Sequence, residues 1–209
     1  MPPLVTNLDH IILGIRDLGA GTTEFAERTG VNPVGGGAHP GRGTANALVG
    51  LDQGHYLEII APTATQIDPM FVGIASLDRL TPFGWALRTD DLAATVKRLR
   101  ARDFDVNDPR AGSRRREDGT LLEWHTAELA ESELAFAPFF IQWNASTLHP
   151  SSTSPTGCRL AGLRFIEPRA ARMVVLLETI GYRVRVERGA TAAMMVTLEC
   201  PRGPVTFTT

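Results

Sequence analysis

The sequence lacks the features that mark several classes of protein. Its 209 residues include two cysteines, Cys158 and Cys200, and neither lies in a CxxC or other metal-ligand spacing. The sequence neither requires nor excludes a disulfide between them. No apolar run approaches the ~18 residues that span a bilayer. Residues 1–4 show no basic segment followed by an apolar stretch, as a signal peptide would. We therefore expect a soluble cytoplasmic protein with no membrane partner.

An excess of charge of one sign is also missing. The net charge is −2 at pH 7, so we expect no broad electrostatic attraction to nucleic acid or to an anionic membrane. The one basic run, residues 114–116, is followed at once by Glu117 and Asp118, which is typical of a solvated loop. Hydrophobic residues make up 43% of the chain and charged residues 21%, which is the balance of an ordinary globular protein.

The sequence does contain a pattern that recurs along the chain. Residues 8–18 form an apolar, β-branched run that predicts a strand. Asp17 can then cap a helix, and Gly30 can end it in a left-handed conformation. Residues 83–92 repeat the plan, with Asp91 in the capping position. A strand followed by a capped helix is therefore predicted at least twice.

A third copy follows the same order, with a strand at residues 160–166 and an apolar helix at residues 173–180. Short strands are predicted after each helix, at residues 46–51 and 56–61, at 121–126 and 139–144, and at 183–186, 194–199 and 205–208. Strands this close in sequence pair antiparallel, which predicts the α+β class with repeated βαβββ modules. Residues 147–156, rich in Ser, Thr and Pro, indicate a linker. We expect paired modules in residues 1–150 and a third module in residues 151–209.

Four segments resemble the vicinal-oxygen-chelate superfamily, which includes glyoxalases, bleomycin-resistance proteins and extradiol dioxygenases. Residues 8–18 resemble its first strand and residues 56–62 its fourth. Residues 37–46 and 138–143 are similar to motifs of a glyoxalase-like subgroup. The resemblance covers residues 7–145, and the last third matches only in pattern. It implies that two modules pair so that their curved mixed sheets enclose a ligand-binding cleft.

The resemblance also implies where a metal would lie. In the family, a residue on the first strand and a carboxylate on the fourth strand of each module hold the ion. By position these are His10 and Glu58 in the first module and Gly84 and Gln142 in the second. The tentative set for Zn, Ni, Mn or Fe is therefore His10, Glu58 and Gln142. It is incomplete, because Gly84 has no side chain and an amide is a weak ligand where three good ligands are usual. No cofactor is certain.

Alternation along a strand predicts which side chains share the cleft. If Ile11 and Leu13 face the helix, their neighbours face the cleft. The predicted cleft residues are Leu8, His10, Ile12 and Gly14 on the first strand, Tyr56, Glu58 and Ile60 on the fourth, and Gly84, Arg88 and Gln142 in the second module. Trp85 and Trp143 then belong to the core, unless the register slips by one residue and places them in the cleft.

Glu58 is the leading catalytic candidate, with His10 beside it. A buried carboxylate needs a partner, which can be a metal, His10, Arg88 or a ligand. The structural alternative is that Glu58 only pairs with His10 or Arg88. The ligand-binding candidates are His39, Asn46, Tyr56, Arg88, His125 and Gln142. His39 lies in a glycine-rich stretch, residues 35–43, that we expect to be a loop. A lone histidine such as His125 is more often a packed structural residue.

Two functions follow from these residues. One is an enzyme that acts on a small oxygen-bearing or aromatic molecule, either an isomerase or lyase with Glu58 moving a proton or an enzyme with dioxygenase-like activity. The other is a metal-free protein that binds or sequesters such a ligand. The missing second-module ligand favours the second function, or an enzyme without a metal.

The third module raises the question of assembly. Its apolar face has no paired module to cover it, and this face includes either Met194, Val196 and Leu198 or their neighbours Met195 and Thr197. Exposed strand edges and large apolar patches are usually covered in proteins. We therefore expect this module either to pack on the first two or to pair in a homodimer, and we favour the dimer.

Overall fold

The computed structural model describes residues 6–39, 41–63, 67–116, 118–130 and 134–209. Residues 1–4 and Glu117, which entered the expectations on targeting and charge, lie outside the described residues. The described elements are β1 (Thr6–Gly14), α1 (Leu18–Thr29), β2 (Val34–His39), β3 (Thr44–Gly50), β4 (Tyr56–Pro62), β5 (Thr81–Thr89), α2 (Leu92–Arg100), β6 (Arg110–Arg115), β7 (Leu121–Ala127), β8 (Phe139–Trp143), β9 (Arg159–Glu167), α3 (Ala170–Ile180), β10 (Arg185–Arg188), β11 (Ala193–Cys200) and β12 (Gly203–Thr208). Among the described residues, no helix has the length and apolarity that crossing a membrane requires.

Helices α1 and α2 begin at the predicted capping residues, and α1 ends at the predicted glycine. The Asp17 side chain accepts a hydrogen bond from the backbone N–H of Ala20 at 2.7 Å, and Gly30 ends α1 with φ 81°. The Asp91 side chain accepts from the backbone N–H of Ala94 at 2.8 Å, at the start of α2. Each cap satisfies a backbone N–H group that the first turn of a helix leaves without a partner.

The first eight strands form one sheet in the order β2-β3-β4-β1-β5-β8-β7-β6. β1 and β5 pair antiparallel at its centre, and each pairs in parallel with the last strand of its own module, β4 or β8. Counted outward from this central pair, the two modules therefore have the same strand order, β1-β4-β3-β2 on one side and β5-β8-β7-β6 on the other. The outer strands β2 and β6 contact each other, so the sheet curves until it nearly closes around an interior. The α+β fold class with repeated βαβββ modules around a cleft is confirmed.

Two strands of this sheet were not predicted. The glycine-rich stretch expected to be a loop forms β2 over most of its length, and the basic run expected to be a solvated loop begins on β6. Arg114 is 3% exposed, in contrast to that expectation. Glycine is depleted in strands, but pairing with a neighbour holds each segment in the sheet, β2 with β3 and β6 with β7.

The third module forms a separate four-stranded sheet in the order β10-β9-β11-β12. Its sequence order is βαβββ, as predicted, but β9 lies between β10 and β11 instead of beside the last strand. Met194, Val196 and Leu198 are fully buried in the same core as Trp85, whose ring lies 4.9 Å from that of Phe165 on β9. The apolar face is therefore covered within the chain, which is the first of the two expected arrangements.

A disulfide joins the two cysteines of the chain. Cys158 precedes β9 and Cys200 ends β11, and their Cα atoms lie 4.3 Å apart. Since β9 and β11 are neighbours in the third sheet, the bond crosslinks the end of the linker to the adjacent strand.

Candidate functional site

A cavity of about 710 Å³ lies inside the curved sheet. Its walls are mainly apolar and aromatic, and they include Ile12, Ile60, Phe71, Phe83, Phe139 and Trp143. Polar side chains gather at one end of the cavity: His10, His39, Asn46, Tyr56, Glu58 and Arg114. Five of these six were predicted as site residues, and the structure brings those five together.

A β-bulge in β1 decides which side chains reach this polar end. The pairing of β1 with β5 shifts register between Leu8 and His10, so Asp9 is an extra residue on β1. A bulge bends the strand and redirects the side chains beside it. As a result Leu8 packs in the core with Ile11, while His10 faces the cavity. The prediction that Leu8 faces the cleft is therefore wrong, because even alternation was assumed across the bulge.

The bulged residue, Asp9, is fully buried and binds three aromatic side chains. One carboxylate oxygen lies 2.7 Å from His10 Nδ1. The other accepts from Trp143 Nε1 and contacts His149 Nε2, both at 3.0 Å. Burial alone would raise the pKa of Asp9, but hydrogen bonds and charge interactions with His10 and His149 outweigh it and hold that pKa well below its usual value. Asp9 is thus a carboxylate that holds the His10 ring with Nε2 toward Glu58.

Sequence reasoning missed Asp9 and His149. A signal for Asp9 was present, because an acidic residue in an otherwise apolar strand must find a partner when buried. No local signal marked His149, which lies in the predicted linker and reaches Asp9 only in the folded chain.

Glu58 lies at the centre of the polar end. Its Oε2 atom is 3.6 Å from His10 Nε2, and its Oε1 atom is 3.6 Å from His39 Nε2 and accepts a hydrogen bond from Asn46 Nδ2. Burial alone would raise the pKa of Glu58, but the charges of His39 and His10 and the hydrogen bond from Asn46 lower it below its usual value. Glu58 is therefore ionised at neutral pH although it faces a largely apolar cavity.

Burial favours the neutral form of two further polar groups, His39 and Tyr56. Burial lowers the pKa of His39, whose Nδ1 atom lies 2.9 Å from Thr44 Oγ1. Burial also raises the pKa of Tyr56 well above its usual value. The Tyr56 ring stacks on the His10 ring at a centroid distance of 4.5 Å. These contacts restrict the orientation of both histidine rings.

Three predicted site residues do not line the cavity. Gln142 points away from it, and its Oε1 atom accepts from the backbone N–H of Leu92 at 2.9 Å. Trp143 instead faces the cavity, so the faces of β8 are the reverse of those predicted. Arg88 does not line the cavity. His125 is exposed on the outer face, across from Gln142.

The metal set implied by the family resemblance is not assembled. His10 and Glu58 face each other, but Gln142 lies on the other face of the sheet and Gly84 offers no donor. His39 Nε2 and Glu58 Oε1 both lie within reach of the Asn46 amide nitrogen. The described part of the chain contains no group of three or more His, Cys, Asp or Glu side chains that could hold a metal ion. The residues present do not fit the three-ligand metal site that is usual for catalysis.

Comparisons with known proteins agree with this architecture. The family model described as a glyoxalase-like domain matches residues 8–181, well into the third module. A search of curated protein sequences finds no match. A hypothetical protein from Staphylococcus aureus has a similar structure, with a TM-score of 0.70 and 16% identity over 98% of this chain and 85% of that one. A methylmalonyl-CoA epimerase from Streptomyces coelicolor, in complex with 2-nitronate-propionyl-CoA, has a TM-score of 0.50 and 18% identity over 68% of this chain and 99% of that one. This chain belongs to the glyoxalase-like domain family, within the vicinal-oxygen-chelate superfamily.

Proposed function

We propose that this protein binds a small molecule with an apolar or aromatic body and one oxygen-bearing polar group, and that Glu58 moves a proton of that molecule. The observation that carries the proposal is the ionised Glu58 at the polar end of an otherwise apolar cavity. A volume of about 710 Å³ lies within the range of small-molecule sites. Apolar walls favour the body of the ligand by burial, while the polar end fixes its orientation.

The two carboxylate oxygens of Glu58 have different surroundings, which support its role in proton transfer. Its Oε1 atom is bound by Asn46, whereas Oε2 faces His10 Nε2 across a gap of 3.6 Å. With the carbonyl oxygen of a ligand placed at His10, the carbon next to the carbonyl carbon would lie close to Oε2. The carboxylate can then remove a proton from that carbon, which leaves the electron pair in an enolate, and return the proton to the same or a neighbouring carbon. Asp9 keeps the His10 ring oriented for this contact. The reaction class is that of an isomerase or lyase acting next to a carbonyl group.

Binding and proton transfer can be measured separately. Trp124 and Trp143 line the cavity, so ligand binding should change the tryptophan fluorescence. The panel should contain aromatic ketones, hydroxyketones and methylmalonyl-CoA, the last because of the structural similarity to an epimerase. Proton transfer is then followed by NMR as deuterium incorporation from D₂O into each compound that binds.

The decisive variant is Glu58→Gln, with Glu128→Gln as its control, since Glu128 is another carboxylate on the cavity wall. We expect Glu58→Gln to keep ligand binding and to lose deuterium exchange by about 10²- to 10⁴-fold, the usual contribution of a general base. Glu128→Gln should keep both. If a compound binds and the two variants exchange deuterium at equal rates, the catalytic part of the proposal is wrong.

The second candidate function is binding or sequestration without chemistry. The second module favours this function, because its strand β8 contributes no polar side chain to the polar end of the cavity. The polar residue on that strand, Gln142, faces the helix side. Ligand binding with no deuterium exchange in the wild-type protein would support this function over the first.

We also propose that the protein carries no stoichiometric metal after purification, because two well-placed donors are too few for tight binding. Added Zn²⁺, Ni²⁺, Mn²⁺ or Fe²⁺ should bind weakly through His10 and Glu58. Elemental analysis tests the first statement. One equivalent of native metal that is lost in His10→Ala would contradict it.

Two further proposals come from the sequence and concern the whole protein, a cytoplasmic location and a homodimer. The face that suggested the dimer is covered within the chain, so a dimer would have to use another surface. Light scattering at micromolar concentration tests the dimer, and a monomer would contradict it. Cell fractionation tests the location. The disulfide argues against a cytoplasmic location, because disulfides are rare in the cytosol.

A further inference from the structure

Arg114 bridges the two edge strands, β6 and β2, which meet where the curved sheet nearly closes. It belongs to β6 in the second module, and its Nη1 atom donates to the carbonyl oxygen of Gly36 on β2 and lies 3.4 Å from Asn46 Oδ1 on β3. Its side chain is buried at the polar end of the cavity. Arg114 therefore links the second module to two strands of the first, next to Glu58.

The contact between Arg114 and Asn46 fixes the orientation of the Asn46 amide. A guanidinium group can only donate hydrogen bonds, so the Asn46 atom that faces it must be the carbonyl oxygen. The amide nitrogen then points the other way, toward Glu58 Oε1 and toward His39 Nε2 at 3.3 Å. The two hydrogens of this nitrogen match these two acceptors.

The orientation of Asn46 in turn sets the state of His39. Because Asn46 donates to His39 Nε2, that nitrogen must be an acceptor without a hydrogen. The ring proton then lies on Nδ1, which donates to Thr44 Oγ1 at 2.9 Å. Arg114 thus donates toward the Asn46 carbonyl oxygen, and the Asn46 amide nitrogen donates to both Glu58 and His39.

Two glycines make room for the Arg114 side chain. A Cβ atom at Gly36 would overlap Asn46 Oδ1 and come within 2.6 Å of Arg114 Nη1. Gly37 has φ 112°, and a Cβ atom there would lie 2.6 Å from the carbonyl oxygen of Arg115. Residues with side chains would therefore push β2 away from β6. The glycine-rich stretch serves close approach between the two strands.

We propose that Arg114 is a positioning residue: it orients the Asn46 amide, which fixes the Glu58 carboxylate and the His39 ring so that Glu58 Oε2 is the oxygen left for a ligand. The last step rests on the function proposed above, whereas the orientation of Asn46 and His39 does not. If Arg114 is removed, the Asn46 carbonyl oxygen loses this donor, and the contacts of the amide nitrogen with Glu58 and His39 are left to hold the amide. The turned-over state, with the carbonyl oxygen toward Glu58, then becomes more populated. Repulsion between the two oxygens would then rotate the carboxylate.

The test uses the full-length, ligand-free protein and ¹⁵N NMR of the His39 ring and the Asn46 side chain at neutral pH. In the wild type, His39 should carry its hydrogen on Nδ1 and leave Nε2 unprotonated. In Arg114→Met, which keeps the length of the side chain but removes the donor, the Nε2 signal should shift toward the protonated position as the second tautomer becomes populated. Arg114→Lys restores a donor and should return the signal toward its wild-type position.

The matched control is Arg115→Met. Arg115 is the next residue on the same strand, but its exposed side chain donates to the carbonyl oxygen of Gly119. This variant should leave the His39 and Asn46 signals in place. The proposal is overturned if the wild type carries the hydrogen on Nε2, a result that needs no variant to fold. It is also overturned if folded Arg114→Met gives wild-type signals. Neither result depends on a ligand or on turnover, so this inference can fail while the proposed function stands.

Discussion

Asp9 joins both modules and the linker through one carboxylate. His10 belongs to β1, Trp143 to β8, and His149 to the segment that leads to the third module. An ionised group in the core is tolerated only when it is fully hydrogen-bonded, because burial removes its hydration. Asp9 is therefore expected to matter for stability as well as for the orientation of His10.

We expect Asp9→Asn to lower the free energy of unfolding by about 2–4 kcal/mol at neutral pH, since a buried charged network loses its charge. The pKa of Asp9 is lower in the folded than in the unfolded protein. Its contribution is therefore complete above the unfolded value of about 3.8 and is lost as the pH falls below it. Urea unfolding from pH 7 to pH 3 should show a shallower acid dependence in the variant.

The acid dependence should not vanish, because the lowered pKa of Glu58 acts in the same direction. Asp78→Asn is a suitable control, since Asp78 is exposed and pairs with Arg16 at the surface. Surface pairs contribute little to stability. Equal acid slopes for the wild type and Asp9→Asn would contradict the role given to Asp9.

Single residues differed in how well the sequence revealed them. His10, Tyr56 and Glu58 could be predicted, because they share one face of two apolar strands and match a family pattern. Arg114 could not, because a run of arginines followed by acids has the composition of a surface loop. Only the contact between β2 and β6, which are distant in sequence, buries it.

At the scale of elements, helices were easier to place than faces of strands. The starts of α1 and α2 and the end of α1 follow from capping residues that act within one turn. A period of two defines two faces of β8 but does not say which one meets the cavity. In the structure Trp143 lies on the inner face and Gln142 on the outer face. The sequence pattern alone is compatible with either arrangement.

The outer position of Gln142 predicts a structural role. Its Oε1 atom accepts the backbone N–H of Leu92, which lies at the start of α2, where a helix leaves such donors without partners. We expect Gln142→Met to lower the free energy of unfolding by about 1 kcal/mol, because Met keeps the size of the side chain but removes the acceptor. Urea unfolding measures the loss.

The same variant should leave ligand binding unchanged, in contrast to changes at the polar end of the cavity. The comparison separates a structural Gln142 from the metal ligand that the family pattern implied. Weaker ligand or metal binding in Gln142→Met, at unchanged stability, would contradict the structural role.

At the scale of the molecule, the third sheet covers the core of the first. Phe207 on β12 stacks over Phe25 on α1 at 6.0 Å, and Phe165 on β9 lies against Trp85 on β5. The sequence predicted the elements of this module but not its strand order or its partner, because both depend on contacts between distant segments.

A chain that ends at Ser151 tests how far residues 1–150 fold independently. We expect it to expose the surface around Phe25 and Trp85, to bind a hydrophobic dye and to associate at micromolar concentration, since large apolar patches are rarely left uncovered. Light scattering and dye fluorescence compare it with the full chain. A monomeric fragment with the stability of the full chain would show that the two predicted domains are independent.

The disulfide should contribute to the stability of the third sheet. It closes a loop with a sequence separation of 42 residues, and a crosslink of this kind stabilises a protein by about 2–4 kcal/mol. We expect a reductant to lower the thermal midpoint of the wild type. The double variant Cys158→Ser with Cys200→Ser should have that lower midpoint with or without reductant. A wild type that is insensitive to reductant would contradict the prediction.

Because β1 carries an extra residue, the number of residues in this strand determines which side chains face the cavity. A deletion between Leu8 and His10 would remove the bulge, and either the residues before it or those after it would turn to the opposite face of the sheet. A conservative substitution at Leu8 disturbs only the local packing. In a library of variants, β1 should therefore accept conservative apolar replacements at Leu8 but no loss of a single residue at this point.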